Sequence, residues 1–329
     1  LIFSHNHQWF IIDPFKKELI RSTKLNPQAR NTDYCQANQH IAYTLDNNLF
    51  IQSFSGKTTD ITRDEDQGIV NGQEVHRREF GIHTGTFWSP NGNKLAFYRK
   101  DERMVSDYPL VDIESRIAGH QPIKYPMAGM KSHHVTIGVY DLESGDTLFL
   151  DTGQPRDQYL TNVAWGPEEK YIYVAVLNRD QNHMKLNRYD AESGQLDRTL
   201  FEEKHDAYVE PQVPAQFVPG RENQFIWQSR RDGYNHLYLY NTSGELIRQL
   251  TRGSWEVTGM HGFDASAENI FFSSTKESPL ERNLYRVNIR SEKISRITGD
   301  PGYHRPMINS TGDYIIDHYS SVDNPRIIQ

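Results

Sequence analysis

Apolar and polar residues alternate along the chain in short runs that end at Asp or Asn and a Ser-Gly-like turn, and almost no stretch has helical periodicity. The clearest copies are Ile137-Gly138-Val139-Tyr140-Asp141-Leu142-Glu143-Ser144-Gly145 and Leu186-Asn187-Arg188-Tyr189-Asp190-Ala191-Glu192-Ser193-Gly194. Leu237 to Gly244, Leu284 to Asn288 and Leu49 to Gly56 repeat the phrase, and Phe10 to Asp13 is a degraded sixth copy. The Asp/Asn positions 141, 190, 241 and 288 lie 49, 51 and 47 residues apart. A fixed period near 50 predicts one four-stranded blade per repeat. The Ser-Gly turns supply the positive φ that hairpin loops need.

A second phrase precedes each of these: an aromatic or apolar residue, a small residue, Pro, a turn, then a continuous apolar run. Phe87-Trp88-Ser89-Pro90-Asn91-Gly92 before Leu95-Ala96-Phe97-Tyr98 is the strongest copy. Ala164-Trp165-Gly166-Pro167, Phe217-Val218-Pro219-Gly220, Phe263-Asp264-Ala265 and Ile308-Asn309-Ser310 are weaker ones. Such runs suit strands covered on both faces by neighbouring blades. The expected fold is therefore all-β, a β-propeller of four-stranded blades, with about six to seven blades' worth in residues 1–329. A β-sandwich offers no reason for the 50-residue period. From Ser55 to Asp141 the chain covers nearly two periods with only one Trp-Ser-Pro unit, which places insertions at about 64–83 and 99–134. Long excursions on a regular scaffold are where function is usually carried.

Composition agrees with thin layers rather than one thick core. Only 36% of residues are hydrophobic and the mean hydropathy is −0.74, yet 38 residues are aromatic. That aromatic content is too high for a disordered chain. No run approaches the roughly 18 apolar residues of a membrane span. The net charge of −7 gives no field that favours nucleic acid. Cys35, the single cysteine, excludes a disulfide framework and a cysteine-rich zinc site. The start at Leu1-Ile2-Phe3 has no initiator Met and reads as the interior of a longer protein.

Chemistry-bearing motifs are scarce. No Ser has Gly at both −2 and +2, so the nucleophile elbow is missing, and no Walker loop or His-Glu-x-x-His is present. His133-His134 and His5/His7 lack nearby thiols or a carboxylate pattern, so neither a metal nor a cofactor is expected. Arg230-Arg231-Asp232-Gly233 reads as a hairpin turn with flanking charges, with an anion contact as the second reading. The segment Gly72 to Gly81 is more informative, since it precedes a buried strand and could form a turn or two of helix. Glu79 beside Arg77 and Arg78 has two readings: a surface ion pair, or a carboxylate aimed into a cavity to hold a cationic group.

Several stretches together resemble the N-terminal propeller of the dipeptidyl peptidase IV group in the prolyl oligopeptidase family. They are Val75-His76-Arg77-Arg78-Glu79-Phe80-Gly81, the Trp88-Ser89-Pro90 phrase, Tyr125-Pro126-Met127-Ala128-Gly129, Ser132-His133-His134-Val135, Arg230-Arg231-Asp232-Gly233-Tyr234-Asn235-His236 and Ser278-Pro279-Leu280-Glu281-Arg282. The likeness runs nearly the whole chain and is closest to the bacterial prolyl tripeptidyl aminopeptidase type. It implies an eight-bladed propeller followed by a C-terminal α/β-hydrolase domain that carries the catalytic triad, leaving no catalytic residue in this chain. It also implies that a glutamate on a short propeller helix binds the substrate's free amino terminus. That residue is Glu79, with Glu74 a candidate second carboxylate and Arg77 and Arg78 in support. Dipeptidyl members carry paired glutamates, whereas Arg77-Arg78-Glu79 keeps one carboxylate, as in the tripeptidyl type. The expected partners are peptides with a free N terminus and a nearby proline, the hydrolase domain, and a second subunit in the full-length protein. The expected location is the bacterial periplasm or envelope. The reading that competes is a stand-alone periplasmic propeller acting as a peptide- or protein-binding module.

Overall fold

A computed structural model describes all 329 residues, and it is all-β apart from one short helical segment, His76–Gly81. Seven antiparallel sheets follow one another along the chain, over residues 2–24, 30–60, 69–149, 158–204, 216–249, 257–296 and 303–328. These are the seven blades of a β-propeller fold, within the range that the repeat predicts. The first and last blades have three strands, the third has five, and the other four have four. In the four-stranded blades each strand pairs with its neighbour in sequence. Two compact units divide the chain: residues 1–172, 176–179 and 188–197 form one, and residues 173–175, 180–187 and 198–329 form the other.

The cores are layers between successive blades. In the first unit, Ala42, Leu49 and Ile51 of the second blade pack with Leu95, Phe97 and Tyr140 of the third. In the second unit, Ile226 and Leu239 of the fifth blade pack with Phe272, Tyr285 and Val287 of the sixth. Each large side chain so covered contributes roughly 1.5–3 kcal/mol. Many thin layers therefore replace one thick core, which is how a chain with 36% hydrophobic residues stays folded. Cys35 is a buried residue of the strand Arg30–Cys35.

Side-chain capping explains why the two phrases recur. The Asp141 carboxylate accepts from the backbone N–H groups of Glu143 and Ser144, and Asp190 does the same for Glu192 and Ser193. Asn241 and Asn288 repeat it with their amide oxygens. Even the degraded copy keeps the device, because Asp13 caps Phe15 and Lys16. An Asx side chain imitates a backbone turn, so Asp and Asn are interchangeable at these turns. In the Trp-Ser-Pro phrase, the Ser89 hydroxyl accepts from Lys94 N–H at 3.0 Å and closes the hairpin. Asp264 and Asn309 take over that task at their turns, accepting from Asn269 and Tyr314.

The third blade departs from the pattern. Its strand Lys94–Asp101 pairs on one side with His134–Asp141, while the other side is shared by two short strands. Thr86–Trp88 covers Leu95 to Phe97 and Ile69–Asn71 covers Arg99 to Asp101. Between them, Gly72 N–H donates to Tyr98 O at 2.8 Å and Tyr98 N–H donates to Gly85 O at 2.9 Å. The chain leaves the sheet after Gly72 and returns at Gly85, which throws residues 73–84 out as a loop. A second excursion, residues 102–133, carries two small ribbons, Asp107–Tyr108 with Ile123–Lys124 and Val111–Asp112 with Gly119–His120.

Candidate functional site

The loop thrown out from the third blade holds all four residues singled out in the sequence. Val75, His76, Phe80 and Ile82 are buried, and Arg77, Arg78 and Glu79 between them are exposed. The expected helix is present only as two successive i→i+3 turns, closed by Arg78 N–H to Val75 O at 3.1 Å and Ile82 N–H to Glu79 O at 3.2 Å. The backbone is left-handed at His76 (φ 51°), Arg77 (φ 55°), Arg78 (φ 66°) and Phe80 (φ 57°) and extended at Glu79 (φ −63°, ψ 165°). For side chains larger than glycine each left-handed residue costs roughly 1–2 kcal/mol. Such strain persists only where surrounding contacts over-determine it, and it collects at functional sites.

Those contacts come from the strand Gln158–Trp165 of the fourth blade. The Tyr159 ring lies edge-on to both His76 (centroids 5.0 Å) and Phe80 (5.1 Å). Leu160 N–H donates to His76 Nε2 at 3.2 Å, and the Thr161 hydroxyl donates to Phe80 O at 3.3 Å. Residues on both sides of Glu79 are thereby fixed to one strand. Arg179 borders the same ring, donating to the Tyr159 hydroxyl at 2.6 Å.

The charges sort themselves in a way the sequence does not show. Arg78 is bidentate to Glu74 Oε1, at 2.9 and 2.6 Å. The Arg77 guanidinium lies 4.2 Å from the centroid of the Tyr125 ring. Neither arginine pairs with Glu79, so the surface ion pair expected at Glu79 forms at Glu74 instead. The Glu79 carboxylate is exposed and engaged by no hydrogen bond or ion pair.

Two imidazoles lie beneath the turn, His76 buried and His133 half-buried. His133 Nε2 is 3.1 Å from His76 Nδ1. Leu160 N–H can only donate, so His76 Nε2 is the acceptor and a neutral His76 carries its proton on Nδ1. That proton then points at His133 Nε2, which accepts. Charging either ring would set two donors face to face. Burial, followed by the charges of Lys100, Arg179, His134 and Arg77, pushes His133 down to about 4 from the ordinary 6.5, and burial with His133, Lys100 and Arg179 lowers His76 well below that value. Groups with a depressed folded pKa take up protons first in the unfolded chain, so stability is complete above the unfolded value and falls with pH below it. Urea titrations should show the His133 contribution costing about 2 kcal/mol between pH 7 and 5. The His133→Gln variant should lose that much less over the same interval.

The sequence profile described as the Dipeptidyl peptidase IV (DPP IV) N-terminal region matches residues 4–326. The chain belongs to this family. The dipeptidyl-aminopeptidase B of Aspergillus niger is 30% identical over 317 residues, covering 87% of the chain and 35% of that protein. A Bacteroides ovatus crystal structure, assigned as a dipeptidyl aminopeptidase IV, superposes with a TM-score of 0.91 at 40% identity, over 99% of the chain and 48% of that structure. The Porphyromonas gingivalis dipeptidyl peptidase 4 superposes with a TM-score of 0.85 at 25% identity, again over 99% and 48%. The chain thus spans about a third of the length of its curated relatives and about half of the solved chains.

The arginine-rich family phrase lies in the fifth blade and is tied down by its own contacts. Arg230 to Gly233 forms the hairpin turn, closed by Gly233 N–H to Arg230 O at 2.9 Å. Arg231 pairs with Glu203 at 2.6 Å and lies 4.5 Å from the centroid of the Tyr238 ring. Glu203 also accepts from Trp227 Nε1 and the Ser229 hydroxyl. Sequence reasoning did not find Tyr159, Leu160 or the pairing of His133 with His76. They lie 57 to 84 residues from their partners, and a 50-residue repeat carries no signal for such a contact.

Proposed function

We propose that this chain is the substrate-gating propeller of a serine exopeptidase that releases N-terminal di- or tripeptides after proline, and that Glu79 receives the peptide's free ammonium. One observation carries the reading: Glu79 keeps an uncommitted carboxylate next to two arginines that are both committed elsewhere. An ammonium held there would make a charge-assisted hydrogen bond, stronger than a neutral one. Fixing the amino end at a set distance from a nucleophile makes an enzyme count residues from that end, and it removes part of the entropic barrier. Glu74 is neutralised by Arg78, which favours one ammonium ligand and the tripeptidyl type. The hydrolase that would supply the triad belongs to the remainder of a longer protein, consistent with the 48% coverage of the solved relatives.

The test is a panel of Xaa-Pro and Xaa-Xaa-Pro reporters, free and N-acetylated, given to the full-length protein. Free-amine reporters should be cleaved and acetylated ones refused, because acetylation leaves the Glu79 carboxylate without its cation. Residues 1–329 alone should cleave none. Equal cleavage of acetylated and free reporters would overturn the assignment.

A further inference from the structure

The turn that presents Glu79 is gripped from two directions, and only one of them is the fourth blade. The other is the return of the 102–133 excursion, which touches two consecutive residues of the turn. Tyr125 holds Arg77 by its ring face, and His133 holds His76 through the ring nitrogens. His76 is the residue where the left-handed run begins, three positions before Glu79. Its ring is buried, with both nitrogens used: Nε2 accepts from Leu160 N–H and Nδ1 donates to His133. The relay from Leu160 through His76 to His133 is directional. Without an acceptor at His133, the His76 Nδ1–H would be a buried donor with no partner, desolvated and uncompensated. The cheapest relief is to flip or withdraw the ring, which releases the Leu160 amide and lets the strained turn unwind.

We infer that His133 is a positioning residue for Glu79: by accepting the His76 Nδ1 proton it holds the left-handed turn that aims the carboxylate, so the excursion is part of the amino-terminus site. The inference rests on the proposed role of Glu79 and adds a residue 54 positions away. What His133 supplies is a neutral acceptor at one point, and a glutamine side chain can offer its carbonyl oxygen there. Phenylalanine keeps the ring volume and offers nothing. The positive groups around the pair, Lys100, Arg179, Arg77 and His134, make a second cation at this point unfavourable and keep the acceptor neutral.

The experiment uses the full-length protein with His133→Phe, His133→Gln and Glu79→Gln, and a free-amine Xaa-Xaa-Pro reporter beside its N-acetylated form. The expected result for His133→Phe is a KM for the free-amine reporter raised about tenfold, with kcat changed less than threefold and the preference for the free amine reduced. His133→Gln should stay within threefold of the parent in both constants. Hydrogen exchange supplies the readout that does not depend on activity: the Leu160 amide should exchange faster in His133→Phe and at the parental rate in His133→Gln. Parental KM and parental Leu160 exchange in His133→Phe would overturn the inference, as would a His133→Gln variant as impaired as His133→Phe. Glu79→Gln separates the two levels. If it leaves the free-amine preference intact, the Glu79 assignment fails, whereas an effect of Glu79→Gln with none of His133→Phe removes only the positioning role.

Discussion

Replacing Glu79 with alanine in the full-length protein is expected to lower kcat/KM for free-amine peptides by roughly 2–5 kcal/mol. That is about thirtyfold to several thousandfold. The size follows from the chemistry of the contact. Glu79 is exposed in this chain, so the figure holds where the full-length protein closes over the contact: once a carboxylate and an ammonium have both given up water, removing one leaves the other desolvated and unpaired. The turn itself should survive the change. Glu79 is exposed, its backbone is extended rather than left-handed, and its side chain supports no neighbour. The loss should therefore appear in kinetics and not in stability, with acetylated peptides unaffected. A change below threefold with free-amine peptides would take Glu79 out of the site. Glu74→Ala gives the contrast: it releases Arg78 into the neighbourhood of Glu79, and a moderate loss there would come from the freed guanidinium competing for the carboxylate.

The blades were legible in the sequence because a propeller repeats its covalent needs. Four of the outer hairpins use an Asx cap and a residue at positive φ, so Asp141, Asp190, Asn241 and Asn288 recur at nearly fixed spacing, the first three with a glycine at the positive-φ position and the fourth with Glu292. Local chemistry of that kind is written in adjacent letters. The insertions were legible for the converse reason, as gaps in the same rhythm. Glu79 could be picked out as a residue, but its state could not. Whether Arg77 or Arg78 neutralised it depended on Tyr125, 48 positions away, and on Glu74 winning Arg78 at i−4. The left-handed backbone was equally invisible. Arginine has no preference for positive φ, and the strain at Arg77 and Arg78 is sustained through neighbours held by Tyr159, Leu160 and Thr161 of another blade. Local sequence rules failed in this loop, where tertiary contacts override them, which is where a functional site is expected.

Gly85→Ala should produce the largest structural effect of any single methyl in this region. Gly85 is where the loop re-enters the third blade, and a Cβ built on it would overlap the backbone of Gln73, on the outgoing arm of the loop. Main chain cannot rotate out of the way as a side chain can, so either the two arms part or the hydrogen bond from Tyr98 N–H to Gly85 O is lost. Over-packing against fixed atoms costs about 1–3 kcal/mol, and this contact belongs at the upper end. Tyr98 is fully buried on the central strand, and its hydroxyl donates to Leu160 O at 3.0 Å, so displacement of the loop is transmitted to the strand that grips the Glu79 turn. The measurement is hydrogen exchange resolved along the chain. The Tyr98 amide should exchange on the order of a hundredfold faster in Gly85→Ala, the Leu160 amide should loosen with it, and the sixth-blade strand Asn269–Ser274 should keep its parental rate. Uniform acceleration across all three would mean that the whole fold has been weakened. An unchanged Tyr98 amide would mean that the loop arms part without strain. The local pattern alone ties the pinch at Gly85 to the presentation of Glu79, and a raised KM for free-amine peptides should accompany it.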